Sequence, residues 1–155
     1  MIAIKNLTKI AVDKSFLTGV AKIVLKGENI SKEKELSIVL VNEPKIKELN
    51  KKYRNKNGVT DVLSFANVSS ATIQGVRLRA SSKFHVSSSE LGEVVICPGE
   101  VKKNAKKINS IFKKELIFVL IHGVLHLLGY NHEMSKKEAE IMDKKTKKYL
   151  LKINS

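Results

Sequence analysis

Three histidines near the C-terminal end of the chain have the spacing of metal ligands. His122 and His126 are four residues apart, so on a helix their side chains project from the same face, one turn apart. Two imidazoles in this arrangement can bind one metal ion at a Zn–N distance of about 2.1 Å. His132 follows six residues later, beyond the reach of one continuous helix. Gly129 between them can adopt a positive φ, end the helix and turn the chain back so that His132 completes the site.

Three neutral nitrogen ligands leave a fourth coordination position open, which is typical of a catalytic rather than a structural zinc site. We expect one Zn²⁺ per chain, although imidazole also suits Ni, Co, Cu and Fe. A His-x-x-x-His pair alone is a weak signal, because histidines also occur as ordinary core or surface residues; the third histidine after the glycine favours a metal site. A zinc protease helix carries Glu directly after its first histidine. Here that residue is Gly123, which disfavours peptide hydrolysis, and we expect the glycine to leave room beside the metal.

Composition and charge indicate a globular protein with a polyanionic partner. Of 155 residues, 43% are hydrophobic, and Cys97 is the only cysteine, so no disulfide can form within the chain and a cytoplasmic location is expected. The longest apolar stretch, 116–128, is too short to span a bilayer, which predicts no membrane partner. The 29 Lys and Arg against 15 Asp and Glu give a net charge of +14, which favours nucleic acid first and an anionic membrane surface second. A lysine-rich bias without a specific target would give the same balance.

The remaining patterns must supply the elements that position the histidines. Apolar periodicity, capping residues and β-branched runs predict alternating helices and strands. The predicted strands are a short edge strand near Ile2 and Ile4, then Leu36–Val41, Val62–Phe65 and Leu91–Ile96. The predicted helices are Lys14–Lys26 with Asp13 as cap and Gly27 as stop, Pro44–Arg54, Pro98–Asn109, a helix capped by Ser110 that ends near Leu128, and a last helix from the capping box at Ser135 to Ile153.

These elements predict an α+β fold in a single compact domain spanning residues 1–155. We expect a small mixed β-sheet with helices packed on it and a buried central helix that carries His122 and His126. Residues 67–90 are rich in serine and read as a long loop, or as a small hairpin arm built from Ile73, Val76 and Leu78. The order of strands in the sheet does not follow from these patterns.

The motif His122-Gly-x-Leu-His126-Leu-x-Gly129-Tyr-x-His132 resembles the signature of the YbeY family, bacterial rRNA maturation factors described as metal-dependent endoribonucleases. Other blocks resemble that family in the same order along essentially the whole chain: Asn50-x-x-Tyr53-Arg54, Thr60-Asp61-Val-Leu-Ser-Phe65 and Leu91-Gly92-Glu93-Val94. Three positions depart from the family pattern: Asn131 and Glu93 each replace a common Asp, and Ala66 replaces a common Pro.

The resemblance implies a compact α+β fold and a metal held by His122, His126 and His132. It also implies action on RNA at the 16S rRNA 3′ end, ribosome quality control, and the ribosome or its proteins as partners. By the Tyr-Arg block, the functional arginine of the family corresponds to Arg54, which with His122 is expected to be catalytic. The planar guanidinium of Arg54 suits a phosphate; apart from the family, a surface arginine at a helix end is the simpler interpretation.

The residue types leave other roles open. Asp61, Glu93 and Glu115 are candidate general bases by type alone, and each also suits a structural role. Cys97 is expected to pack in the core, although a thiolate would also suit a fourth metal position. His85 is expected to be solvated in the loop. Two other classes of function are also consistent with the sequence: a non-enzymatic, metal-stabilised ribosome assembly factor, and a metallohydrolase of another substrate.

Overall fold

The structure is a computed structural model that describes residues 1–66, 72–73, 76–77, 89–131, 133 and 135–154. Alternating apolar residues form the strands, and apolar residues at helical spacing form the helices. The elements of this part of the chain are β1 (Ile2–Asn6), α1 (Lys14–Gly27), β2 (Glu35–Leu40), α2 (Glu43–Arg54), β3 (Val62–Ala66), β4 (Thr72–Ile73), β5 (Val76–Arg77), β6 (Glu90–Ile96), α3 (Pro98–Lys107), α4 (Phe112–Leu127) and α5 (Lys136–Asn154).

Four strands form one mixed sheet in the order β1-β2-β6-β3. β1 and β6 both run parallel to β2, and β3 runs antiparallel to β6. The predicted mixed sheet and the edge position of β1 are therefore confirmed. β4 and β5 form a separate antiparallel pair, with Ile73 opposite Val76, which confirms the predicted arm at these two residues. Leu78 lies outside the described residues.

The two faces of the sheet carry different clusters of buried side chains. Because side chains alternate along a strand, Val94 and Ile96 of β6 join the main core with α1, α4 and α5, whereas Val95 and Cys97 join a smaller cluster with Ile46 of α2. Cys97 is completely buried there, as expected for a packing residue. The predicted α+β class is confirmed.

α4 is the central helix, and it lies against the sheet at Gly123. A Cβ atom on Gly123 would lie 2.8 Å from Val94 Cγ1 and 3.0 Å from Val62 Cγ2, and the Ser64 hydroxyl donates a hydrogen bond to the Gly123 carbonyl at 2.7 Å. The expectation that Gly123 leaves room beside a metal is therefore wrong. The absent side chain instead allows the helix backbone to approach β3 and β6. None of the helices in the described part of the chain is long and apolar enough to cross a lipid bilayer.

Two of the three predicted serine and aspartate caps are confirmed. The Phe16 amide donates to Asp13 Oδ1 at 3.0 Å, and the Glu138 amide donates to Ser135 Oγ at 3.1 Å. The third prediction, Ser110, is wrong: α4 begins one residue later than a Ser110 cap requires, with no side-chain cap bond. The Ser110 amide instead donates to the carbonyl of Ala105, which closes the end of α3.

The ends of α1 and α3 are both set by asparagines. Asn29 and Asn109 adopt positive φ, at 60° and 55°, a conformation that asparagine tolerates better than most residues. The prediction that Gly27 stops α1 is therefore wrong. Gly27 is still helical, and the residue that turns the chain is Asn29. A Cβ on Gly27 would collide with the ring of Tyr149, so the glycine allows α1 and α5 to approach each other closely. The helix α3 ends at Lys107, two residues before the predicted end.

Candidate active site

A cavity of about 380 Å³ lies where the C-terminal halves of α2 and α4 meet β3. The connection from α2 to β3 forms one wall, and the exposed side of α4 forms another. Its lining residues are Asn50, Arg54, Lys56, Val59, Thr60, Val62, Leu63, Ser64, His122, His126 and Glu133. The cavity therefore brings together side chains from three of the blocks that the sequence singled out, although the histidine motif is far from the other two along the chain.

His122 and His126 lie on the same wall of this cavity, as their spacing predicts. Their ring centroids are 4.7 Å apart and the rings are inclined at 70°. α4 ends directly after them: the Gly129 amide donates to the His126 carbonyl at 3.0 Å, and Gly129 adopts a φ of 106°. A side chain would be strained at that φ, so the predicted glycine turn is confirmed.

The third predicted ligand, His132, lies outside the described residues, as does His85. Within the described ranges, no group of three or more His, Cys, Asp or Glu side chains converges as a metal site. The structure thus brings together two of the three predicted ligands. Two imidazoles on one cavity wall fit the preference of zinc and its neighbouring transition metals for nitrogen donors.

Arg54 reaches the same cavity from the last residue of α2. Its side chain is 19% exposed, and its Nη2 lies 3.8 Å from Glu133 Oε1. Glu133, whose side chain is 48% exposed, was not singled out from the sequence. Its position directly after His132 was the available signal, because an acidic residue adjacent to a predicted ligand lies close to any site that the ligand forms. The pair is long and partly solvated, so its contribution to stability is small.

Asn50 lies one turn before Arg54 and lines the same cavity. It is only 5% exposed, and its Nδ2 donates to the Gly58 carbonyl at 3.0 Å, which ties α2 to the connection that leads to β3. Its Oδ1 is buried and has no hydrogen-bond donor among the residues that the structure describes. A buried acceptor without a donor costs about 1–3 kcal/mol, so this oxygen favours a donor from a water molecule or ligand.

The three carboxylates considered as general bases do not line this cavity. Asp61 lies beside it but faces Asn104, whose Nδ2 donates to Asp61 Oδ2 at 3.5 Å. Burial raises the pKa of Asp61 above its ordinary value, and repulsion from Glu100 adds to this effect against the opposing hydrogen bonds. Burial, with repulsion from Asp61, likewise raises the pKa of Glu115. The two carboxylates therefore repel each other near the first turn of α4, which contains Glu115 and lies two helical turns before His122.

Glu93 lies in a different cavity, of about 290 Å³, on the sheet face opposite α4. Glu35 and Glu90 line that cavity as well, together with the edge strand. It is therefore acidic, and none of its described lining residues is a histidine. We assign none of the three carboxylates to the His-lined cavity.

Phe118 was also missed in the sequence because it belongs to an apolar helix. It is 40% exposed, and its ring is stacked on that of His122 with centroids 5.9 Å apart and an interplanar angle of 21°. The separation of four residues explains the contact, since residues i and i+4 are neighbours on a helix. One ring of the histidine pair is therefore held against an exposed aromatic side chain.

A second polar cluster lies behind the turn that follows α4. The carboxylate of Glu28 accepts hydrogen bonds from Tyr130 at 2.6 Å, from Tyr149 and from Lys145 at 3.0 Å. Its side chain is only 6% exposed. Burial raises the pKa of Glu28, but the bonds from Tyr130, Tyr149 and Lys145 outweigh it and hold the pKa below its ordinary value. This cluster fixes Tyr130, the residue after Gly129.

Known proteins with this sequence pattern are named as ribonucleases. A family model described as "Endoribonuclease YbeY" matches residues 3–154. Among curated relatives, Endoribonuclease YbeY of Thermodesulfovibrio yellowstonii is 43% identical over 74% of this chain and 64% of its own length. That of Thermotoga maritima is 37% identical over 74% and 65%, and that of Persephonella marina 38% identical over 89% and 82%. The matched part is thus less than two thirds of the length of the first two relatives.

A solved structure shares the fold. The solution structure of TM1509 from Thermotoga maritima superposes with a TM-score of 0.60 at 31% sequence identity, covering 99% of this chain and 89% of that one. At this level of similarity the arrangement of sheet and helices is common to both proteins.

Proposed function

Because this chain belongs to the YbeY family, we propose that it is a metal-dependent endoribonuclease that hydrolyses phosphodiester bonds in single-stranded RNA. Its substrate is rRNA, at the 3′ end of 16S rRNA, and it acts in rRNA maturation and ribosome quality control. The observation that supports this best is the convergence of Arg54, His122 and His126 on one cavity. A cationic side chain suited to a phosphate and two nitrogen donors suited to a metal ion are compatible with metal-assisted phosphodiester hydrolysis.

The proposed metal is one Zn²⁺ per chain, held by His122, His126 and His132. The 4.7 Å separation of the first two rings supports a shared ion, and the turn at Gly129 supports the return of the chain. When bound, such an ion lowers the pKa of water toward about 7 and stabilises negative charge on a phosphate. His122 has a second contact, with Phe118, which holds its ring in place on the cavity wall.

Arg54 is the residue that we assign to the phosphate. Its guanidinium presents several N–H donors in one plane, which matches the oxygens of a phosphate. In this structure the acidic partner of Arg54 is Glu133, at 3.8 Å. The hydrogen bonds of a bidentate phosphate contact would be shorter than this distance. RNA binding therefore replaces a weak ion pair with a stronger one at the site of reaction.

RNA is the proposed macromolecular partner, with the ribosome or ribosomal proteins as the setting in the cytoplasm, and no membrane partner is proposed. The net charge of +14 supports a long polyanion over a small phosphoester. Lys56 adds a positive charge to the lining of the cavity itself. Binding is accordingly expected to weaken as salt is raised, because each neutralised phosphate releases counterions.

The test is cleavage of a single-stranded RNA that carries the 16S 3′ precursor junction. Wild-type protein would be compared with His122→Ala and with Lys22→Ala, an exposed residue of α1, and all three would be checked for folding and metal content. We expect His122→Ala to lose at least about a hundredfold in rate, because changes even in the surroundings of metal ligands cost tenfold to a hundredfold. Lys22→Ala should cleave like wild type.

Equal cleavage by all three proteins would identify a contaminating nuclease and remove the support for catalysis. If none cleaves free RNA, the same comparison on ribosomal particles decides between the enzyme and the assembly factor. An assembly factor whose metal only holds the fold would show reduced thermal stability in His122→Ala, with no cleavage by the wild type.

A further inference from the structure

We propose that Phe118 is a stacking platform for one nucleobase of the bound RNA, beside the nucleotide whose phosphate enters the His-lined cavity. This inference rests on the proposed function and adds a specific contact to it. It assigns a role in RNA binding to a second cavity, which Phe118 lines together with residues of the preceding turn of α4.

The exposure of Phe118 is unusual for its helix. α4 is entirely within the described residues, and none of its other large apolar side chains is in the exposed class; its neighbours Ile117 and Val119 are buried. Phe118 is 40% exposed. Leaving an aromatic ring in water forgoes the favourable free energy of burying its apolar surface, which favours a ligand that covers it.

Two cavities meet at this ring. His122 lines the first cavity, and its ring is stacked on that of Phe118 at 5.9 Å. Phe118 in turn lines a second cavity, of about 290 Å³. The other lining residues of that cavity are Lys114, Glu115, Ile117, Leu150 and Asn154. Lys114 and Glu115 precede Phe118 by one helical turn, whereas His122 follows it by one turn, so the two cavities adjoin the stacked rings from opposite directions along α4.

The chemistry of the second cavity suits a base better than a phosphate. Ile117 and Leu150 supply apolar contacts, and the Asn154 amide offers both donors and an acceptor to a base edge. Glu115 would repel a phosphate, while Lys114 lies where it can pair with a backbone phosphate at the margin. Unstacked bases of single-stranded RNA are commonly bound by stacking on aromatic side chains.

RNA is the occupant that the surroundings favour over a protein segment. The ring is continuous with the cavity that holds the proposed phosphate site, and the chain carries a net charge of +14. An RNA strand that places a phosphate beside Arg54 and His122 continues over the adjacent surface of α4. Phe118 would then hold a base next to the reacting phosphate and so select single-stranded over base-paired RNA.

The experiment measures equilibrium binding of a short fluorescent RNA with the precursor junction. Each base along the RNA is removed in turn, leaving an abasic ribose, and the RNA is checked by gel for integrity after each titration. The proteins are wild type, Phe118→Leu, Phe118→Tyr, and Ile108→Ala as a control at an apolar residue of similar or greater exposure. Leucine keeps an apolar side chain against α4 and removes only the aromatic face.

For wild type, loss of one particular base should weaken binding by about tenfold, the fold-change that corresponds to the stacking of one base on an aromatic ring. Phe118→Leu should bind the intact RNA about tenfold more weakly and no longer respond to the loss of that base. Phe118→Tyr and Ile108→Ala should behave like wild type. This coupling between one side chain and one base is a readout that a purely structural role of Phe118 would not change.

The inference is overturned if wild type and Phe118→Leu respond alike to the loss of every base. Cleavage of the same RNA, measured in parallel, separates this failure from that of the proposed function. Cleavage without the coupling removes the stacking role alone, whereas the coupling without cleavage of either the free RNA or ribosomal particles supports stacking and counts against the endoribonuclease. A wild-type protein that binds no RNA would overturn both.

Discussion

Two groups of polar side chains flank the C-terminal end of α4, and they differ in how fully their hydrogen bonds are satisfied. Behind the turn, the nearly inaccessible carboxylate of Glu28 accepts bonds from Tyr130, Tyr149 and Lys145. In front of it, and within the part of the chain that the structure describes, Arg54 has only a distant acidic contact and Asn50 Oδ1 has no donor. The first group is complete within the protein, and the second has capacity for a ligand.

The difference shows how a structural cluster of charged residues can be told from a binding site. A buried charge is tolerated where protein groups satisfy it, and Glu28 meets that condition by joining three helical regions. Groups that remain incompletely paired beside a cavity are satisfied only when something enters. The two are connected, because Gly129 and Tyr130 belong to the same turn, so the closed cluster supports the open one.

The largest expected effect in this comparison is that of Arg54→Ala on cleavage. Loss of a charged hydrogen-bonding partner of the phosphate should reduce the rate by about ten- to a hundredfold, equivalent to about 1.5–3 kcal/mol. Arg54→Lys should recover little of this, since lysine cannot form the bidentate contact. Both variants should unfold at temperatures close to that of wild type, which differential scanning calorimetry would check. If either variant were much less stable than wild type, Arg54 would have a structural role like that of Glu28, and the distinction between the two groups of polar side chains would be wrong.

Glu28→Gln should have the opposite pattern, with a loss of stability. Removing the charge while keeping the shape should lower the free energy of unfolding by about 2 kcal/mol at neutral pH, because the hydrogen bonds from Tyr130 and Tyr149 become neutral ones and the ion pair with Lys145 is lost. Chemical denaturation would measure the change. Metal content should stay near that of wild type.

The pH dependence of this effect follows from the lowered pKa of Glu28. A carboxylate with a lowered pKa in the folded protein stabilises it above the ordinary pKa of 4.5, and that stabilisation is lost as pH falls through the folded pKa. The difference between wild type and Glu28→Gln should therefore be largest at neutral pH and shrink below about pH 4.5. A difference that stays constant down to pH 2 would contradict the assigned role of the charge.

The smallest expected effect is that of Glu133→Gln. The ion pair between Glu133 and Arg54 is 3.8 Å long, and the side chain of Glu133 is about half exposed. Loss of the pair should therefore change the free energy of unfolding by less than about 1 kcal/mol. RNA affinity should rise by a few fold, because Arg54 would no longer have to break its ion pair with Glu133 before it binds a phosphate. Anisotropy titrations at two salt concentrations would measure it, with Glu48→Gln on α2 as a matched control. A loss of affinity would instead mean that Glu133 contacts the RNA or its metal favourably.

Local patterns in the sequence predicted those features whose causes are local. The caps at Asp13 and Ser135, the shared face of His122 and His126, and the turn at Gly129 each depend on residues within one or two helical turns. Ser110 resembles Ser135 in type but does not cap, because α4 begins one residue later with Ile111 at the cap position, while the Ser110 amide closes the end of α3. Such competition between neighbouring helix ends is decided by packing and not by residue type.

The features that sequence reasoning missed depend on distant contacts. Glu28 and Tyr130 are 102 residues apart in the chain, and nothing in the pattern around either residue indicates the other. Gly123 was read as space for a metal because its neighbours were histidines, whereas its own face meets β3 and β6. The order of strands was likewise not predictable, since parallel pairing leaves no signature in the intervening turns. The metal ligands and the role of Arg54 remain predictions.

The position of β6 in the sheet has a consequence for how the protein is made. β6 separates β2 from β3, and it is the partner of both. The edge of β2 that pairs with β6 stays unpaired until β6 has been synthesised. The end of β6 at Ile96 comes 56 residues after the end of β2 at Leu40. At about 5–20 residues per second, this takes roughly 3–11 s. During that interval the nascent chain exposes an unpaired, largely aliphatic strand edge, the kind that pairs readily with other chains. We therefore expect slower translation between residues 40 and 96 to lower the yield of folded protein.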